Sequence, residues 1–263
     1  MVNRLHDQYQ SDKYKIIIEN LCLSYSDGTE SLKNISMRIP INSITVIFGP
    51  AGGGKSSLLR VLNRLNDLAD VTKLDGQVTM DGIDLLDPKM DVTSLRRRVG
   101  MVFARPVVLP MSIKENLTYG LEIAGQKNEA ILLEAVEHSL RQAALWEEVQ
   151  DRLDDPAIAL SGGQQQRLCL ARVLALKPEV ILLDEPTSGL DPISTGKVEN
   201  SLQELKKNYT IVLVPHSVQQ AARTADCAAF FLQGEIIEYA DGKEIFLNPT
   251  KTLTQDYVEG RFG

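Results

Sequence analysis

The chain has 263 residues, of which 24% are charged and 43% are hydrophobic, and its formal net charge is −7. This composition is ordinary for a soluble globular protein with a large core, and the acidic balance argues against a nucleic-acid partner held by bulk positive charge. No apolar run reaches the roughly eighteen residues of a membrane-spanning helix, and residues 1–12 are polar and lack a signal-peptide core. Three cysteines, none in a C-x-x-C pair, predict buried free thiols in a reducing compartment rather than a zinc site or a disulfide framework.

Short β-like segments come first in the chain. Residues 14–19, 21–25, 35–39 and 44–48 are apolar and rich in β-branched side chains, and Asp27-Gly28 is a turn signal among them. Tyr25 lies just before this turn. Its ring could stack on a nucleotide base or could cover the core, and the residue alone leaves both interpretations open.

The segment after the fourth of these strands matches the phosphate-loop pattern G-x-x-x-x-G-K-S/T. Its members are Gly49, Pro50, Ala51, Gly52, Gly53, Gly54, Lys55 and Ser56, and Ser57 follows them. Leucines recur at helical spacing from residue 58 onward, so the loop stands between a strand and a helix. Glycines let successive backbone N–H groups point at one anion, and the helix N-terminus adds partial positive charge. The alternative, a glycine-rich turn beside an ordinary surface lysine, does not account for this context.

Two side chains of the loop have the chemistry to complete a triphosphate site. Lys55 should reach the β- and γ-phosphate oxygens of a nucleotide. The Ser56 hydroxyl should join the ligands of Mg²⁺, which prefers oxygen donors and bridges phosphates. The loop therefore predicts binding of a nucleoside triphosphate with magnesium.

The middle of the chain changes from strand-like to helical patterns. A polar stretch through Asp75-Gly76 leads to a predicted strand over residues 77–80, and residues 99–103 form another. From residue 113 to about residue 146 the pattern is helical and indicates an inserted helical lobe. Its mostly apolar stripe consists of Ala130, Leu133, Val136, Glu137 and Leu140. A loop over residues 160–164 then precedes a predicted helix over residues 165–176.

Two acidic residues follow a continuous apolar run at residues 180–183, which is typical of a strand buried on both faces. Asp184 and Glu185 stand at the end of this strand, where open α/β sheets place their ligands. Asp184 is predicted to orient Mg²⁺, and Glu185 is a candidate general base for a water aimed at the γ-phosphorus. Two solvated acids would be the simpler interpretation without the phosphate loop. Helices over residues 197–206 and 218–224 and strands over residues 211–214 and 228–232 complete the predicted elements.

Residues 160–167, Leu-Ser-Gly-Gly-Gln-Gln-Gln-Arg, resemble the signature motif of the ATP-binding-cassette ATPases. The motifs also occur in the same order as in that family and cover almost the whole chain. They are Tyr25, the phosphate loop, this segment, Asp184 and His216. The resemblance implies an α/β fold with a P-loop NTPase (RecA-like) core, an N-terminal antiparallel β subdomain and an inserted α-helical subdomain. A single ATP-binding domain would span residues 14–263, with the helical subdomain and signature at about 104–164 and the remainder at 14–103 and 165–263.

The resemblance also implies residue roles. Tyr25 would stack on adenine, and His216 would contact the γ-phosphate. The signature residues would face the γ-phosphate of an ATP molecule held by the opposite subunit, and they are Ser161, Gly162, Gly163 and Gln164. Asp191 would lie at the interface between the two subunits. ATP would therefore hold a two-fold homodimer together, and hydrolysis would release it.

A narrower resemblance covers residues 160–172, 191–195, 219–223 and 260–263, which are similar to the ATPase subunits of bacterial phosphate importers. It implies a peripheral ATPase on the cytoplasmic face of the membrane that drives uptake of phosphate or a related oxyanion. Two permease subunits would form the channel, and an extracytoplasmic solute-binding protein would act indirectly. The alternative is a regulatory cassette that uses ATP binding as a switch. A cassette acting on nucleic acid or the ribosome is disfavoured by the acidic charge and the single cassette.

Two positions depart from the family pattern. Ala104 stands where the family has a glutamine that contacts Mg²⁺ and the attacking water, and a methyl group makes no hydrogen bond. Pro215 stands where the family has threonine before the histidine, which removes one backbone donor. We expect normal ATP binding and slowed hydrolysis.

Overall fold

The structure, a computed structural model, describes residues 13–261. The polar N-terminal stretch at residues 1–12 lies outside the described residues, as do Phe262 and Gly263 of the importer-like ending. Within residues 13–261, no helix combines the length and the apolar character needed to cross a membrane. The three thiols are free, as predicted, but only Cys169 is buried, while Cys22 and Cys227 are half-buried.

The first sheet is antiparallel and has the strand order β2-β1-β4-β5. Its strands are β1 (Tyr14–Tyr25), β2 (Glu30–Pro40), β4 (Val71–Met80) and β5 (Ile83–Asp84). Two strands were predicted where β1 is continuous, because Asn20, at φ 52°, forms an irregularity in the pairing and does not end it. The predicted start of β4 at residue 77 is also wrong. Its first half has mostly exposed side chains although its backbone pairs with β1.

The second sheet carries the site and has the order β10-β9-β3-β8-β7-β6, in which β10 alone is antiparallel to its neighbour. Its strands are β3 (Ile44–Phe48), β6 (Val99–Val102), β7 (Val180–Asp184), β8 (Thr210–Val214), β9 (Cys227–Leu232) and β10 (Glu235–Asp241). Apolar side chains of β3, β7 and β8 are buried on both faces, as their continuous apolar runs predict. Because these strands are parallel, their carboxyl ends meet at one edge.

Helices cover both faces of this sheet and form the inserted lobe. They are α1 (Lys55–Leu62), α2 (Val92–Arg98), α3 (Ile113–Ile123), α4 (Glu129–Gln142), α5 (Trp146–Val149), α6 (Gly162–Ala175), α7 (Pro192–Leu205), α8 (Val218–Thr224), α9 (Gly242–Leu247) and α10 (Thr252–Val258). The predicted α8 has the observed bounds.

The lobe contains α3, α4 and α5, and its predicted apolar stripe is partly wrong. Val136 and Leu140 are buried, but Leu133 is 46% exposed. Ala130 and Glu137 are exposed as well. The reason is that the first two turns of α4 lie mostly at the surface, and the buried residues of this helix begin at Val136.

Candidate nucleotide-binding site

The phosphate loop connects β3 to α1, and its backbone requires glycine at two close approaches. Gly49 has φ 142° and Gly54 has φ 96°. A Cβ atom on Gly49 would lie 2.0 Å from the Phe231 carbonyl oxygen, and one on Gly54 would lie 2.2 Å from the Ser31 carbonyl oxygen. Because α1 begins at Lys55, its first backbone N–H groups open toward the loop and are available to an anion.

Lys55 is held over the loop and is only 9% exposed. Its Nζ donates to the carbonyl oxygens of Gly49 at 2.9 Å and Pro50 at 2.7 Å. Burial lowers the pKa of the Lys55 ammonium, and the charges of Glu185 and Asp184 partly oppose this effect. A poorly hydrated cation in this position is suited to pair with a phosphate oxygen.

The folded chain brings Ser56 and Asp184 together from the start of α1 and the end of β7. Ser56 Oγ donates to Asp184 Oδ1 at 3.0 Å. A hydroxyl and a carboxylate form the oxygen donor set that Mg²⁺ prefers, so these residues fit that ion. Among residues 13–261 no group of three or more His, Cys, Asp or Glu side chains is arranged to hold a metal ion.

Glu185 follows Asp184 in a left-handed conformation with φ 47°. Its N–H donates to the Val214 carbonyl oxygen at 2.9 Å, which ties the turn after β7 to the end of β8. Glutamate in this region of φ is uncommon, and such backbone strain is concentrated at functional sites. The half-buried Glu185 lines both cavities beside the phosphate loop.

The larger of these cavities is an open cleft of about 480 Å³. Its lining consists of the phosphate loop from Ala51, with Tyr25, Asp27, Thr29, Ser31, Ser57 and Glu185. Tyr25 Oη donates to Ser57 Oγ at 3.2 Å, and Ser31 Oγ donates to the same oxygen at 2.7 Å. Sequence reasoning missed Asp27, Thr29 and Ser31, although their closeness to Tyr25 and the Asp27-Gly28 turn was an available signal.

The smaller cavity, of about 200 Å³, shares Ala51, Lys55 and Glu185 with the cleft. Gly49, Pro215 and His216 also line it. The His216 side chain is exposed, and its backbone N–H donates to Gln220 Oε1 at 2.9 Å. The structure thus places the predicted γ-phosphate residues Lys55, Glu185 and His216 around one cavity.

The signature residues begin a helix, which corrects the predicted loop. Ser161 Oγ accepts from the Gln164 N–H at 3.4 Å, and Gln164 Oε1 accepts from the Ser161 N–H at 3.0 Å. This capping box starts α6 at Gly162 and not at residue 165. Gly162 and Gly163 therefore belong to the first helical turn.

Glu148 of α5 anchors the signature helix from behind. Gln164 Nε2 donates to Glu148 Oε2 at 3.0 Å, and Arg167 donates to both carboxylate oxygens at 2.8 and 3.0 Å. Lys197 of α7 also pairs with Glu148. The Arg167 contact, with help from Lys197 and Gln164, lowers the pKa of Glu148 to about 2. Sequence reasoning missed Glu148, because a single acid on a short helix gives no local signal.

Asp191 lies beside the signature helix of its own chain. It caps α7 by accepting from the N–H groups of Ile193 and Ser194, and Ser194 Oγ donates to it at 2.6 Å. A Cβ atom on Gly163 would lie 2.6 Å from that same Ser194 Oγ. Within residues 13–261, the lining of the 480 Å³ cleft does not include the signature residues or Asp191, so the predicted site residues form two separate groups.

Ala104 follows β6 and is half-buried. Gln166 Nε2 donates to the carbonyl oxygen of the preceding Phe103 at 2.9 Å. The methyl group of Ala104 offers neither a donor nor an acceptor to a nucleotide.

Comparison with known proteins identifies the family. A profile described as "ABC transporter" matches residues 32–188. The chain belongs to the ABC transporter family. It is 54% identical over 262 residues to the phosphate import ATP-binding protein PstB 1 of Vibrio vulnificus (strain YJ016). The aligned region covers 100% of this chain and 94% of that relative. The predicted family and its ATPase class are confirmed.

Solved structures share the fold. The cbiO1 protein from Clostridium perfringens, part of the ABC transporter complex cbiONQ, is 28% identical with a TM-score of 0.79 over 90% of this chain and 92% of its own. The ATP-binding cassette MJ0796, solved as a dimer in a post-hydrolysis state with ADP and Pi, is 28% identical with a TM-score of 0.75 over 87% of this chain and 99% of its own. The predicted fold class is confirmed.

Proposed function

We propose that this chain is the ATP-hydrolysing subunit of a phosphate importer. The observation that carries the proposal is the assembled triphosphate site, in which Ser56 and Asp184 lie 3.0 Å apart beside the buried Lys55. This site occurs in a chain that is 54% identical, over its full length, to a phosphate import ATP-binding protein. Residues 14–263 would act as one domain on the cytoplasmic face of the membrane. Its partners are two permease subunits and, indirectly, a solute-binding protein.

ATP binding would use groups that already surround the cleft. The Tyr25 ring would stack on adenine, and the backbone N–H groups of the phosphate loop would hold the phosphates. Lys55 would exchange its hydrogen bonds to the Gly49 and Pro50 carbonyls for phosphate oxygens. Ser56 and Asp184 would hold Mg²⁺, which neutralises phosphate charge when it is bound.

Hydrolysis would use the residues around the smaller cavity. Glu185 accepts a proton from the attacking water, and His216 contacts the γ-phosphate. The N-terminus of α6 of a second copy, with Ser161, Gly162 and Gly163, covers the phosphate from the other side and contributes helix-terminal N–H groups. ATP therefore joins two copies in a two-fold dimer, and loss of the γ-phosphate opens it.

The relatives' names do not support the alternative of a switch protein outside transport. Ala104 removes one water-positioning contact but leaves Lys55, Asp184 and Glu185 in place, so it slows turnover and does not prevent it. Phosphate is favoured over other oxyanions by the names of the relatives alone.

The test is reconstitution of the complex with its permease in vesicles that enclose MgATP and this chain. We expect uptake of labelled phosphate and stimulated ATP hydrolysis when phosphate-loaded binding protein is added outside. Glu185→Gln should abolish both, and sulfate should compete poorly with phosphate. ATP binding without uptake, and with hydrolysis indifferent to the binding protein, would support the switch protein instead.

A further inference from the structure

Gln220 on α8 is a buried amide that connects two segments of the proposed hydrolytic site. It is 2% exposed, and its Oε1 accepts from the His216 N–H at 2.9 Å and from Thr187 Oγ1 at 3.1 Å. A backbone N–H can only donate, so the oxygen and not the nitrogen of the amide must face His216. The orientation of this side chain is therefore fixed by its partners.

The bridge joins the turn after β7 to the turn after β8. Thr187 stands two residues after Glu185, and His216 stands two residues after Val214. The N–H of Glu185 already donates to the Val214 carbonyl oxygen at 2.9 Å. Two connections thus hold the segment of the general base against the segment of the histidine, one direct and one through Gln220.

Pro215 makes the second connection more important in this chain. Proline has no N–H, so the turn before His216 has one donor fewer with which to fix its backbone. The His216 N–H is the next donor along the chain, and Gln220 accepts it. The Thr187 hydroxyl, in a side chain only 4% exposed, would also lose its acceptor without Gln220, at a desolvation cost.

We infer that Gln220 is a positioning residue for ATP hydrolysis, whose amide oxygen fixes the His216 backbone against the Glu185 segment so that both side chains face the γ-phosphate. The inference rests on the proposed function, because it takes Glu185 and His216 to act on ATP. Gln220 touches neither ATP nor water in this account. It acts through His216 and Thr187, and we expect its loss to lower kcat more than it weakens ATP binding.

The amide nitrogen supplies a useful control. Within the described residues, Gln220 Nε2 is buried and has no hydrogen-bond partner. Gln220→Glu therefore keeps an acceptor for both donors and removes no hydrogen bond, although it buries a carboxyl group whose second oxygen has no partner. Gln220→Leu has similar volume and removes the acceptor. Gln219 is the neighbouring glutamine on the same helix and is exposed. Gln219→Leu therefore makes the same substitution at a residue outside the bridge and serves as the matched control.

The experiment measures MgATP affinity, steady-state hydrolysis and thermal unfolding of the purified full chain. Gln220→Leu should lower kcat by about tenfold while KM changes by less than about twofold. Gln220→Glu should turn over faster than Gln220→Leu because it retains the acceptor, and Gln219→Leu should have the kcat of the natural chain. Thr187→Val should lower kcat less than Gln220→Leu does, and the double variant should be no worse than Gln220→Leu, since both act through one bridge.

The outcomes separate this inference from the proposed function. If His216→Ala and Glu185→Gln lose hydrolysis while Gln220→Leu folds and turns over at the natural rate, the positioning role is wrong and the proposed function stands. If Gln220→Leu unfolds, Thr187→Val decides, and natural turnover in that variant overturns the bridge. If Glu185→Gln or His216→Ala retains full activity, both the assigned chemistry and the role of Gln220 are wrong.

Discussion

The phosphate-loop group and the signature group differ in where their polar side chains find partners. On the phosphate-loop side, Ser56 is hydrogen-bonded to Asp184, and the buried Lys55 lies beside them within the same chain. On the signature side, Ser161 and Gly162 are exposed, and the helix behind them is anchored by Glu148 and by Arg167, which is 3% exposed. The first group is assembled to bind a nucleotide alone. The second faces outward, and in the proposed function it contacts the nucleotide of a second copy of the chain.

This contrast predicts that variants on the two sides fail in different ways. Phosphate-loop variants should lose ATP affinity in the single chain. Signature variants should keep that affinity and lose turnover, because their phosphate is bound to another copy. The predictions below run from the largest expected effect to the smallest.

Lys55→Ala should have the largest effect on binding. It removes a buried cation whose charge-assisted hydrogen bonding to phosphate is expected to contribute about 3 kcal/mol in all, so affinity for MgATP should fall by about a hundredfold. Isothermal titration calorimetry of the full chain measures this. Affinity within a few-fold of the natural chain would contradict the assignment of the loop.

Gly163→Ala should leave MgATP affinity within about twofold and lower turnover by about tenfold or more. The reason is steric, since the new Cβ would lie 2.6 Å from Ser194 Oγ and push the signature turn away from Asp191. Combining it with Ser194→Gly removes the clashing atoms and should restore part of the turnover. Ser194→Gly alone is the control. Weakened MgATP binding in Gly163→Ala would contradict the prediction that signature variants lose turnover and keep affinity.

Ala104→Gln should raise turnover by about five- to tenfold without changing MgATP affinity, because an amide can position the attacking water as a methyl group cannot. Hydrolysis and binding are measured on the same preparation of both chains. An unchanged rate would show that another group already positions the water, and would contradict the claim that Ala104 slows hydrolysis.

Acid should weaken the anchor of the signature helix. Because Arg167 lowers the pKa of Glu148 from its ordinary 4.5 to about 2, its ion pairs stabilise the folded chain fully above pH 4.5, and this contribution is lost as pH falls toward 2. Glu179, held by Arg98 and Lys15, titrates over the same range. The comparison is therefore between the natural chain and Glu148→Gln by urea unfolding. The difference in stability should shrink below pH 4.5, and a constant difference would contradict the anchor.

Local patterns were sufficient to predict much of the core. The apolar runs before Gly49 and Asp184 identified buried parallel strands, and the glycine spacing identified the phosphate loop between β3 and α1. Each of these features depends on neighbouring residues. The same local information misplaced the start of α6, where the Ser161–Gln164 capping box draws the signature glycines into the helix.

Features that depend on distant contacts could not be predicted in this way. The pairing of polar residues in β4 with β1, the surface position of Leu133 and the partners of Glu148 are set by tertiary packing. Gln220 illustrates the same limit, because residues 219–223 contributed to the family resemblance without indicating that this amide joins Thr187 to His216. The assigned chemical roles of Tyr25, Glu185, Asp191 and His216 stay predictions.

The central claim is that two copies of the chain complete one site around ATP, and the most direct measurement is sedimentation velocity of Glu185→Gln with and without MgATP. The account predicts a 29.1 kDa monomer without nucleotide and a stable dimer with MgATP, since the variant binds ATP and cannot hydrolyse it. Lys55→Ala in the same background should stay monomeric. A Glu185→Gln chain that binds MgATP at saturating concentration and still sediments as a monomer would contradict the shared site.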